Sequence, residues 1–306
     1  MSALMNDESN GLVEVSCDYC KKSEYEIIYP ASLDRPVSES NFGVFGELGE
    51  YPQIVKCSSC GLVYANPRDT TPNLQEKYRT LSVEDYLLEE NSRRVTCMRD
   101  VKFISGFVNG GKILDIGCSS GIFLSCLPEN FDRYGVEPGV EGGMAAKRLM
   151  SDERIHIGTI DTAEYAESSF DIITMWDVIE HLDAPTTYLN RINKLLKPDG
   201  HIVVLTPDFG SISARLMGRK WPNLIRQHIY YFTRRTLAQS LSACGFSVVR
   251  TSTYSRYFTL AYLYRRTGLP FGVGVERIMR KVGIGGLGVW INVGDSLLTV
   301  AKKMSN

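Results

Sequence analysis

Short apolar segments and amphipathic helical segments alternate along the chain from Lys112 onward. The apolar segments have the length of buried strands and read KILDIG, RYGVE, RIHIG, FDIITMW and HIVVLT. Helical patterns lie between them, including residues 140–150 and 185–196, and a further helix is predicted after the fifth strand at 233–244. Strands that alternate with helices favour a parallel sheet covered on both faces, so we predict an α/β fold. Two further strands, GFSVVRTSTY and DSLLTVAKK, follow the last of these helices.

The chain before Lys112 has a different pattern. Residues 1–70 are predicted to be rich in strands and turns, and they form a first module. Residues 71–109 have apolar positions near helical spacing, namely Leu87, Val95, Met98, Val101 and Phe103 or Ile104. We expect this helical linker to pack over the cofactor edge of an α/β domain at 110–306. Residues 256–292 interrupt that domain as a predicted helical insert or lid.

Composition and charge narrow the class of protein. The 306 residues are 43% hydrophobic and 23% charged, which is typical of a globular chain of about two domains. A net charge of −1 argues against a nucleic-acid partner, because there is no overall positive field. No apolar run approaches the ~18 residues of a membrane span. The N-terminus lacks the basic start and apolar stretch of a signal peptide, so we expect a cytoplasmic protein.

Four of the eight cysteines form two CxxC pairs, Cys17/Cys20 and Cys57/Cys60. Each pair can chelate with two sulfurs, and together they can place four thiolates around one tetrahedral zinc ion. A site with four protein ligands has no open position, so the predicted zinc is structural. Reduced structural thiols or a redox pair are the alternatives.

The turn after the first α/β strand carries the main cofactor signal. The strand KILDIG ends in Gly117-Cys118-Ser119-Ser120-Gly121, and glycines there let the backbone approach a ligand. The dinucleotide motif G-x-G-x-x-G is not met, because Ser119 and Ile122 occupy its second and third glycine positions. Asp115 just before this turn suits a ligand with a methionine-like tail, whose ammonium the carboxylate would face.

Glu137 ends the second strand of the domain, twenty residues beyond Gly117. A carboxylate at this strand tip can accept two hydrogen bonds from a ribose diol. Alternatively, Gly117 and Gly121 are only turn residues and Glu137 is a solvated carboxylate. The spacing and the strand order together favour a nucleoside site.

With these pieces in order, residues 112–301 resemble a class I S-adenosylmethionine-dependent methyltransferase. The matching segments are KILDIGCSSG, YGVEPG, SFDIITMWDVIEHLDAP, LLKPDGHIVVLTP and RQHIYYFTRRTLAQSLSACGFSVV. The resemblance implies a Rossmann-like, seven-stranded, mostly parallel sheet with a reversed C-terminal hairpin. It also implies S-adenosylmethionine as cofactor, bound by Asp115, Gly117, Cys118, Ser119, Gly121, Glu137, Pro138, Thr159, Ile160 and Asp177.

The two CxxC pairs before such a domain resemble bacterial methyltransferases associated with sugar and polysaccharide biosynthesis. This implies methyl transfer to a hydroxyl or carbon of a sugar, nucleotide-sugar or glycan acceptor. A quinone-like phenol and rRNA are alternative acceptors. A non-catalytic binding or assembly protein that keeps the cofactor fold is a further alternative, although Asp115, Glu137 and the glycine turn favour an enzyme.

Candidate catalytic groups follow the strand FDIITMW. Asp177, Glu180 and His181 lie at i, i+3 and i+4 and would point the same way from a helical turn. His228 lies in a second rim segment. His181 or His228 could be a general base for an acceptor hydroxyl, or the four residues could bind a divalent cation. The cation version resembles ubiquinone-pathway O-methyltransferases and small-RNA ribose methyltransferases, with Asp177 replacing their first Glu. Alternatively, Glu180 and His181 only shape the cofactor pocket.

The 256–292 insert mixes aromatic and basic residues. Its aromatic residues are Tyr257, Phe258, Tyr262 and Tyr264, and its basic residues are Arg256, Arg265, Arg266, Arg277, Arg280 and Lys281. Its arginines could hold the phosphates of an acceptor, or the segment could contact a membrane interface peripherally. A small helical cap with a solvated basic face is the simpler interpretation.

Overall fold

The structure is a computed structural model, and it describes residues 12–32, 49–80, 82–83, 89–266 and 287–304. Leu87 of the predicted linker and the predicted helix VERIMRKVG lie outside the described residues, as do Arg277, Arg280 and Lys281.

Within the described residues, the N-terminal part forms small antiparallel sheets followed by two helices. Its strands are β1 (Leu12–Val13), β2 (Tyr25–Tyr29), β3 (Ile54–Cys57), β4 (Val63–Ala65) and β5 (Arg68–Asp69). Strand β1 pairs with β5, and β3 lies between β2 and β4. The helices are α1 (Thr71–Arg79) and α2 (Glu90–Ile104).

Helix α2 buries a mainly polar face, and only some of the apolar positions named from the sequence are buried. Val95 and Met98 are 38% and 66% exposed. The buried positions are Ser92, Thr96, Asp100 and Ile104. These positions recur at helical spacing, and the first three line a cavity instead of packing into an apolar core.

The remaining elements alternate between strand and helix, as the sequence predicts. In chain order they are β6 (Gly111–Ile116), α3 (Ile122–Cys126), β7 (Phe131–Glu137), α4 (Val140–Leu149), β8 (Ile155–Ile157), β9 (Phe170–Trp176), α5 (Pro185–Leu195), β10 (Leu196–Pro207), α6 (Ile212–Met217), β11 (Tyr230–Tyr231), α7 (Arg234–Ala243), β12 (Phe246–Thr253), β13 (Arg256–Thr259), α8 (Leu260–Arg266), β14 (Gly288–Ile291) and β15 (Ser296–Lys303). Short 3₁₀ turns span Asp152–Arg154, Ile179–His181 and Gly218–Lys220.

The predicted seven-stranded, Rossmann-like sheet is confirmed. Its strand order is β12-β15-β10-β9-β6-β7-β8. Strands β6 to β10 pair in parallel, and β15 runs antiparallel to both β10 and β12. Residues such as Leu114, Ile173 and Val203 are fully buried between the sheet and its helices. The strand order reverses around β6 and β9, and ligands of open α/β sheets bind beyond the carboxyl ends at such a point.

Strand β11 does not belong to the central sheet. Tyr230 and Tyr231 pair antiparallel with Tyr64 and Val63 of β4, so β11 becomes the fourth strand of the N-terminal sheet. A segment that follows β10 in the chain therefore completes a sheet that begins before residue 70.

The 256–292 insert is not purely helical, which corrects the expectation for its two ends. Strands β13 and β14 pair antiparallel, with Arg256 opposite Ile291 and Thr259 opposite Gly288. Helix α8 follows β13 directly. Alternating Tyr, Phe and Thr favour a strand, and pairing satisfies the backbone groups at both ends of the insert. Within the described residues, no helix combines the length and the apolar character needed to cross a bilayer.

Candidate active site

One cavity of about 640 Å³ opens beyond the carboxyl ends of β6, β7 and β9. Helices α1 and α2, the segment 222–228 and residues of β13 and β14 form its other walls. The predicted site residues that line it are Asp115, Gly117, Cys118, Ser119, Glu137, Pro138, Thr159, Ile160, Asp177, Glu180, His181 and His228. The volume lies within the usual range for small-molecule sites of about 300–1,000 Å³. The structure therefore brings the predicted cofactor-binding residues and the predicted catalytic residues into one cavity.

The turn after β6 lines the cavity through Gly117, Cys118 and Ser119. Gly117 has a φ of 75°, and a Cβ atom at this position would lie 2.5 Å from Cγ2 of Val178. Gly121 is different, because it does not line the cavity. Its position beside helix α4 leaves only 3.2 Å between an added Cβ and Ala146, so its absent side chain permits close packing.

Glu137 holds the glycine turn at the tip of β7. Its Oε2 accepts a hydrogen bond from Ser119 N at 2.7 Å, and its Oε1 accepts one from Gly139 N at 2.8 Å. Burial raises the pKa of this carboxyl, while the two backbone donors oppose the shift. Each carboxylate oxygen retains a lone pair for a ligand hydroxyl.

Asp115 is a buried carboxyl at the cavity floor, 2% exposed. Its Oδ1 accepts a hydrogen bond from Thr174 Oγ1 at 2.6 Å. Burial, with a smaller contribution from nearby Glu137, raises the pKa of Asp115 to about 8. A cationic ligand group would favour the carboxylate form, so this position fits an ammonium.

Glu180 lies in the 3₁₀ turn after β9 and is 1% exposed. Its Oε2 accepts a hydrogen bond from Thr206 Oγ1 at 2.9 Å, whereas its buried Oε1 has no hydrogen-bond partner among the described residues. Burial, with a contribution from Asp177, raises the pKa of Glu180 well above its usual value. A buried acceptor without a partner is costly, and a proton or a cation would satisfy it.

The hydrogen bonds of His181 and His228 set their tautomers. Nδ1 of His181 lies 2.8 Å from the carbonyl oxygen of Gln227 and 2.8 Å from the hydroxyl of Tyr78. Nδ1 of His228 lies 2.8 Å from the carbonyl oxygen of Asn223. Because a carbonyl can only accept, both Nδ1 atoms carry the proton, and each neutral ring keeps a lone pair on Nε2. Burial lowers the pKa of both imidazoles.

Glu180, His181 and His228 form one cluster, in which one ligand atom from each residue lies within 4.8 Å of the others. Two imidazole nitrogens and one carboxylate oxygen are a common ligand set for divalent cations. An unpartnered carboxylate oxygen beside two imidazole rings fits such a cation, and the same groups also fit a general base.

Asp177 lines the same cavity but does not belong to this cluster, because its carboxylate forms an ion pair with Arg256. Its Oδ2 accepts a hydrogen bond from Arg256, which belongs to β13. Asp177 also adopts a φ of 54°, and its amide donates to Leu205 O at 2.9 Å. The backbone is thus not a continuous helix from Asp177 to His181, and the expected i, i+3, i+4 face is reduced to Glu180 and His181.

Two sets of residues at the site were not predicted from the sequence. Tyr78, from α1, contacts His181 across the cavity, and no local pattern signals that contact. Glu89, directly before α2, and the buried face of α2 with Ser92, Thr96 and Asp100 add to the cavity wall. The helical spacing of these polar residues is the signal that could have revealed that face.

A second cluster lies in the N-terminal part, where the four predicted cysteines meet. Sγ of Cys17 is 3.5 Å from Sγ of Cys60, and Sγ of Cys20 is 3.4 Å from Sγ of Cys57. All four sulfurs lie within 4.8 Å of one another. Thiolates around a tetrahedral zinc with bonds of about 2.3 Å are roughly 3.8 Å apart, so the residues fit a Cys₄ zinc site.

Comparisons with known proteins agree with the fold. A family model described as a methyltransferase domain matches residues 89–251. The mitochondrial ubiquinone biosynthesis O-methyltransferase of Schizosaccharomyces pombe is 30% identical over 152 residues, covering 45% of this chain and 52% of that relative. The ubiquinone biosynthesis O-methyltransferase of Cereibacter sphaeroides is 34% identical over 125 residues, covering 37% and 48%. The chain thus spans about half the length of these curated relatives.

A solved structure from Thermotoga maritima, described as a SAM-dependent methyltransferase and possible histamine N-methyltransferase, is also similar. The match has a TM-score of 0.49 and 18% identity and covers 72% of this chain and 96% of that one.

Proposed function

We propose that this chain, which belongs to the methyltransferase domain family and is S-adenosylmethionine-dependent, methylates a hydroxyl group of a small-molecule acceptor. The observation that carries the proposal is the cluster of Glu180, His181 and His228 in the cavity that Asp115 and Glu137 also line. The part of the cavity around Asp115 and Glu137, called the cofactor end below, fits S-adenosylmethionine. The cluster beside it can take a proton from a hydroxyl.

Residues at the ends of three strands would each bind a different part of the cofactor. S-adenosylmethionine supplies, when bound, an electrophilic methyl group on a sulfonium. Asp115 would face the ammonium of the methionine part, and Glu137 would accept hydrogen bonds from the ribose hydroxyls. Thr159 and Ile160, after β8, would contact the adenine. A buried carboxyl with a raised pKa and the glycine turn both support this assignment.

The histidine pair would receive the acceptor's proton. Nε2 of His181 or His228 would accept the proton of the acceptor hydroxyl, and a bound S-adenosylmethionine would supply the methyl group to that oxygen. Alternatively, Glu180, His181 and His228 would hold a divalent cation, which would lower the pKa of the acceptor hydroxyl. Holding the two reactants in line contributes further to the rate.

A phenolic, quinone-like acceptor is the first candidate class. The relatives named above are ubiquinone biosynthesis O-methyltransferases. Aromatic side chains line part of the cavity, and the rings of Phe258 and Tyr262 stack with centroids 5.3 Å apart and planes 8° from parallel. Such walls suit a flat apolar ring.

A sugar or nucleotide-sugar acceptor is the second candidate class. The observation that favours it is the polar face of α2, which places Glu89, Ser92, Thr96 and Asp100 on the cavity wall. A wall of hydrogen-bonding groups suits an acceptor with many hydroxyls. The expectation of a phosphate-bearing acceptor rests on the basic residues of the insert, of which Arg256 is engaged with Asp177.

We further propose a structural zinc ion on Cys17, Cys20, Cys57 and Cys60, in a module that corresponds to residues 1–70. The distances between the four sulfurs support the assignment. Metal analysis of the purified chain tests it, and we expect one zinc ion per chain.

A turnover screen tests the proposed function. Formation of S-adenosylhomocysteine is measured with catechol-type phenols, nucleotide sugars, glycans and rRNA, with Asp115→Asn as the control. We expect turnover with phenols or sugars and none with rRNA. Absence of cofactor binding in calorimetry contradicts the enzyme, and binding without turnover of any acceptor favours a non-catalytic protein.

A further inference from the structure

The N-terminal sheet holds the segment that carries His228. Strand β11 begins two residues after this histidine and pairs with β4, with Tyr230 opposite Tyr64. The amide of Ala65 also donates to the carbonyl of Ile229 at 2.9 Å. Backbone hydrogen bonds of this kind restrict the position of the residues just before the strand, including His228.

The first CxxC turn holds the loop that carries His181. Asp18 lies between Cys17 and Cys20 and is 8% exposed. Its Oδ2 accepts a hydrogen bond from Thr186 N at 2.7 Å, and its Oδ1 accepts one from Thr186 Oγ1 at 3.0 Å. Thr186 lies in the first turn of α5, so a carboxylate at this position also favours the helix N-terminus.

Arg68 connects the two loops. Its guanidinium donates to the carbonyl of Asp183 at 2.6 Å and to the hydroxyl of Tyr230 at 2.9 Å. The loops are also joined directly, because Ile229 N donates to the carbonyl of Glu180 at 2.9 Å. The histidine pair thus sits on two loops that the cysteine module fastens from one side.

The cofactor end is held differently. Asp115 is hydrogen bonded to Thr174 of the neighbouring strand, and Glu137 to backbone amides of the adjacent turns. These contacts lie within the central sheet and its own turns. Displacement of the cysteine module should therefore disturb the histidines while leaving the cofactor end in place.

We propose that the Cys₄ site is a positioning element of the active site. A zinc ion bound there would fix the positions of His181 and His228 through Asp18, Arg68 and strand β4. This inference rests on the proposed role of the two histidines. The cation would hold the first CxxC turn against the second, and the second directly precedes β4. Asp18 and Arg68 are then positioning residues that do not touch the reactants.

The test changes the contacts between the cysteine module and the two histidine loops without changing the metal ligands. Asp18→Ala and Arg68→Gln keep all four cysteines, Asp18→Asn keeps one acceptor oxygen, and Glu26→Gln on the exposed side of β2 is the matched control. Zinc content, the Kd for S-adenosylmethionine, kcat, KM and hydrogen–deuterium exchange of residues 177–186 and 223–231 are measured for each variant. The wild-type chain is measured in the same way before and after zinc chelation.

We expect Asp18→Ala and Arg68→Gln to keep zinc and cofactor affinity, because neither contacts the cofactor end. Their kcat should fall roughly 10- to 100-fold, the range expected for a small misplacement of catalytic groups. Exchange of both loops should rise, and Asp18→Asn should recover most of the loss. Chelation of the wild-type chain should raise exchange in the same two loops.

Unchanged kcat and exchange in Asp18→Ala and Arg68→Gln would overturn the proposal, and so would an equal loss of cofactor affinity and kcat. A wild-type chain without turnover contradicts the proposed function instead. Loop exchange then still tests whether the cysteine module positions the two loops.

Discussion

The imidazole rings of His181 and His228 meet edge to face, with centroids 4.7 Å apart and planes inclined at 64°. Their Nδ1 atoms donate to two carbonyls of one segment, those of Gln227 and Asn223. One loop thus orients both rings, and both residues belong to one cluster with Glu180. The two histidines form a pair whose shared function can be tested.

Replacing either histidine by glutamine should lower kcat by about 100-fold or more, since general-base catalysis typically contributes about 10²–10⁴-fold. The Kd for S-adenosylmethionine should stay within about twofold, because the cofactor is assigned to other residues. Calorimetry and steady-state kinetics with the best acceptor measure both quantities. His201→Gln, on β10, is the matched control. Full turnover in both His181→Gln and His228→Gln would exclude a catalytic role for the pair.

The pH profile should reflect the lowered pKa values of the two histidines. Burial disfavours the imidazolium, so the neutral base persists below the ordinary value of 6.5. We expect kcat to be nearly constant from pH 8 to pH 6.5 and to fall only at lower pH. An inflection in kcat above pH 6.5 would contradict a histidine base in this environment.

The same shifts make the stability of the fold depend on pH. Below pH 6.5 the unfolded chain takes up protons on His181 and His228, whereas the folded chain does so only at lower pH. The two histidines should therefore contribute a decrease in the free energy of unfolding as the pH falls from 7 to 5, whereas the raised pKa values of Asp115 and Glu180 contribute in the opposite direction. Urea denaturation at both pH values measures this change. The carboxyls are the same in both chains, so the wild-type chain should become less stable relative to the double variant His181→Gln/His228→Gln as the pH falls. An equal change in the two chains would contradict the assignment.

Cofactor binding should release a proton from Asp115. The pKa of Asp115 is raised to about 8, so the carboxyl is mostly protonated at pH 7 without ligand. An ammonium beside it favours the carboxylate, and affinity should increase as the pH rises through 8. Calorimetry in two buffers of different ionisation enthalpy should detect close to one released proton at pH 7. Asp115→Asn should bind more weakly and release none, and equal proton release in both chains would argue against the assignment.

Glu137→Gln should weaken cofactor binding by about 10- to 100-fold, or about 1.4–2.8 kcal/mol. Both carboxylate oxygens accept backbone hydrogen bonds, so the amide of glutamine must face one of these donors. The glycine turn then loses part of its support, and the ribose hydroxyls lose an acceptor. Calorimetry measures the change, with Glu129→Gln at an exposed position as the control. Equal affinity in the two variants would mean that Glu137 does not contact the cofactor.

Local sequence patterns accounted for most of the central sheet. The run FDIITMW became β9 at Phe170–Trp176, and the glycine turn after β6 lies beside the cavity as expected. These elements were predictable because buried strands, helix faces and glycine turns each leave a short-range signal. The four cysteines were predictable for the same reason, since the spacing within each CxxC pair restricts the chemistry.

Contacts between distant segments were decided only by the tertiary structure. The sequence could not show that Tyr230 pairs with Tyr64, that Tyr78 reaches His181, or that Arg256 engages Asp177. The inward polar face of α2 also depends on the cavity that it lines. Such contacts depend on how separate elements pack and leave no periodic signal in either segment. The sequence by itself determined the elements and their chemistry, while packing determined which side chains share a site.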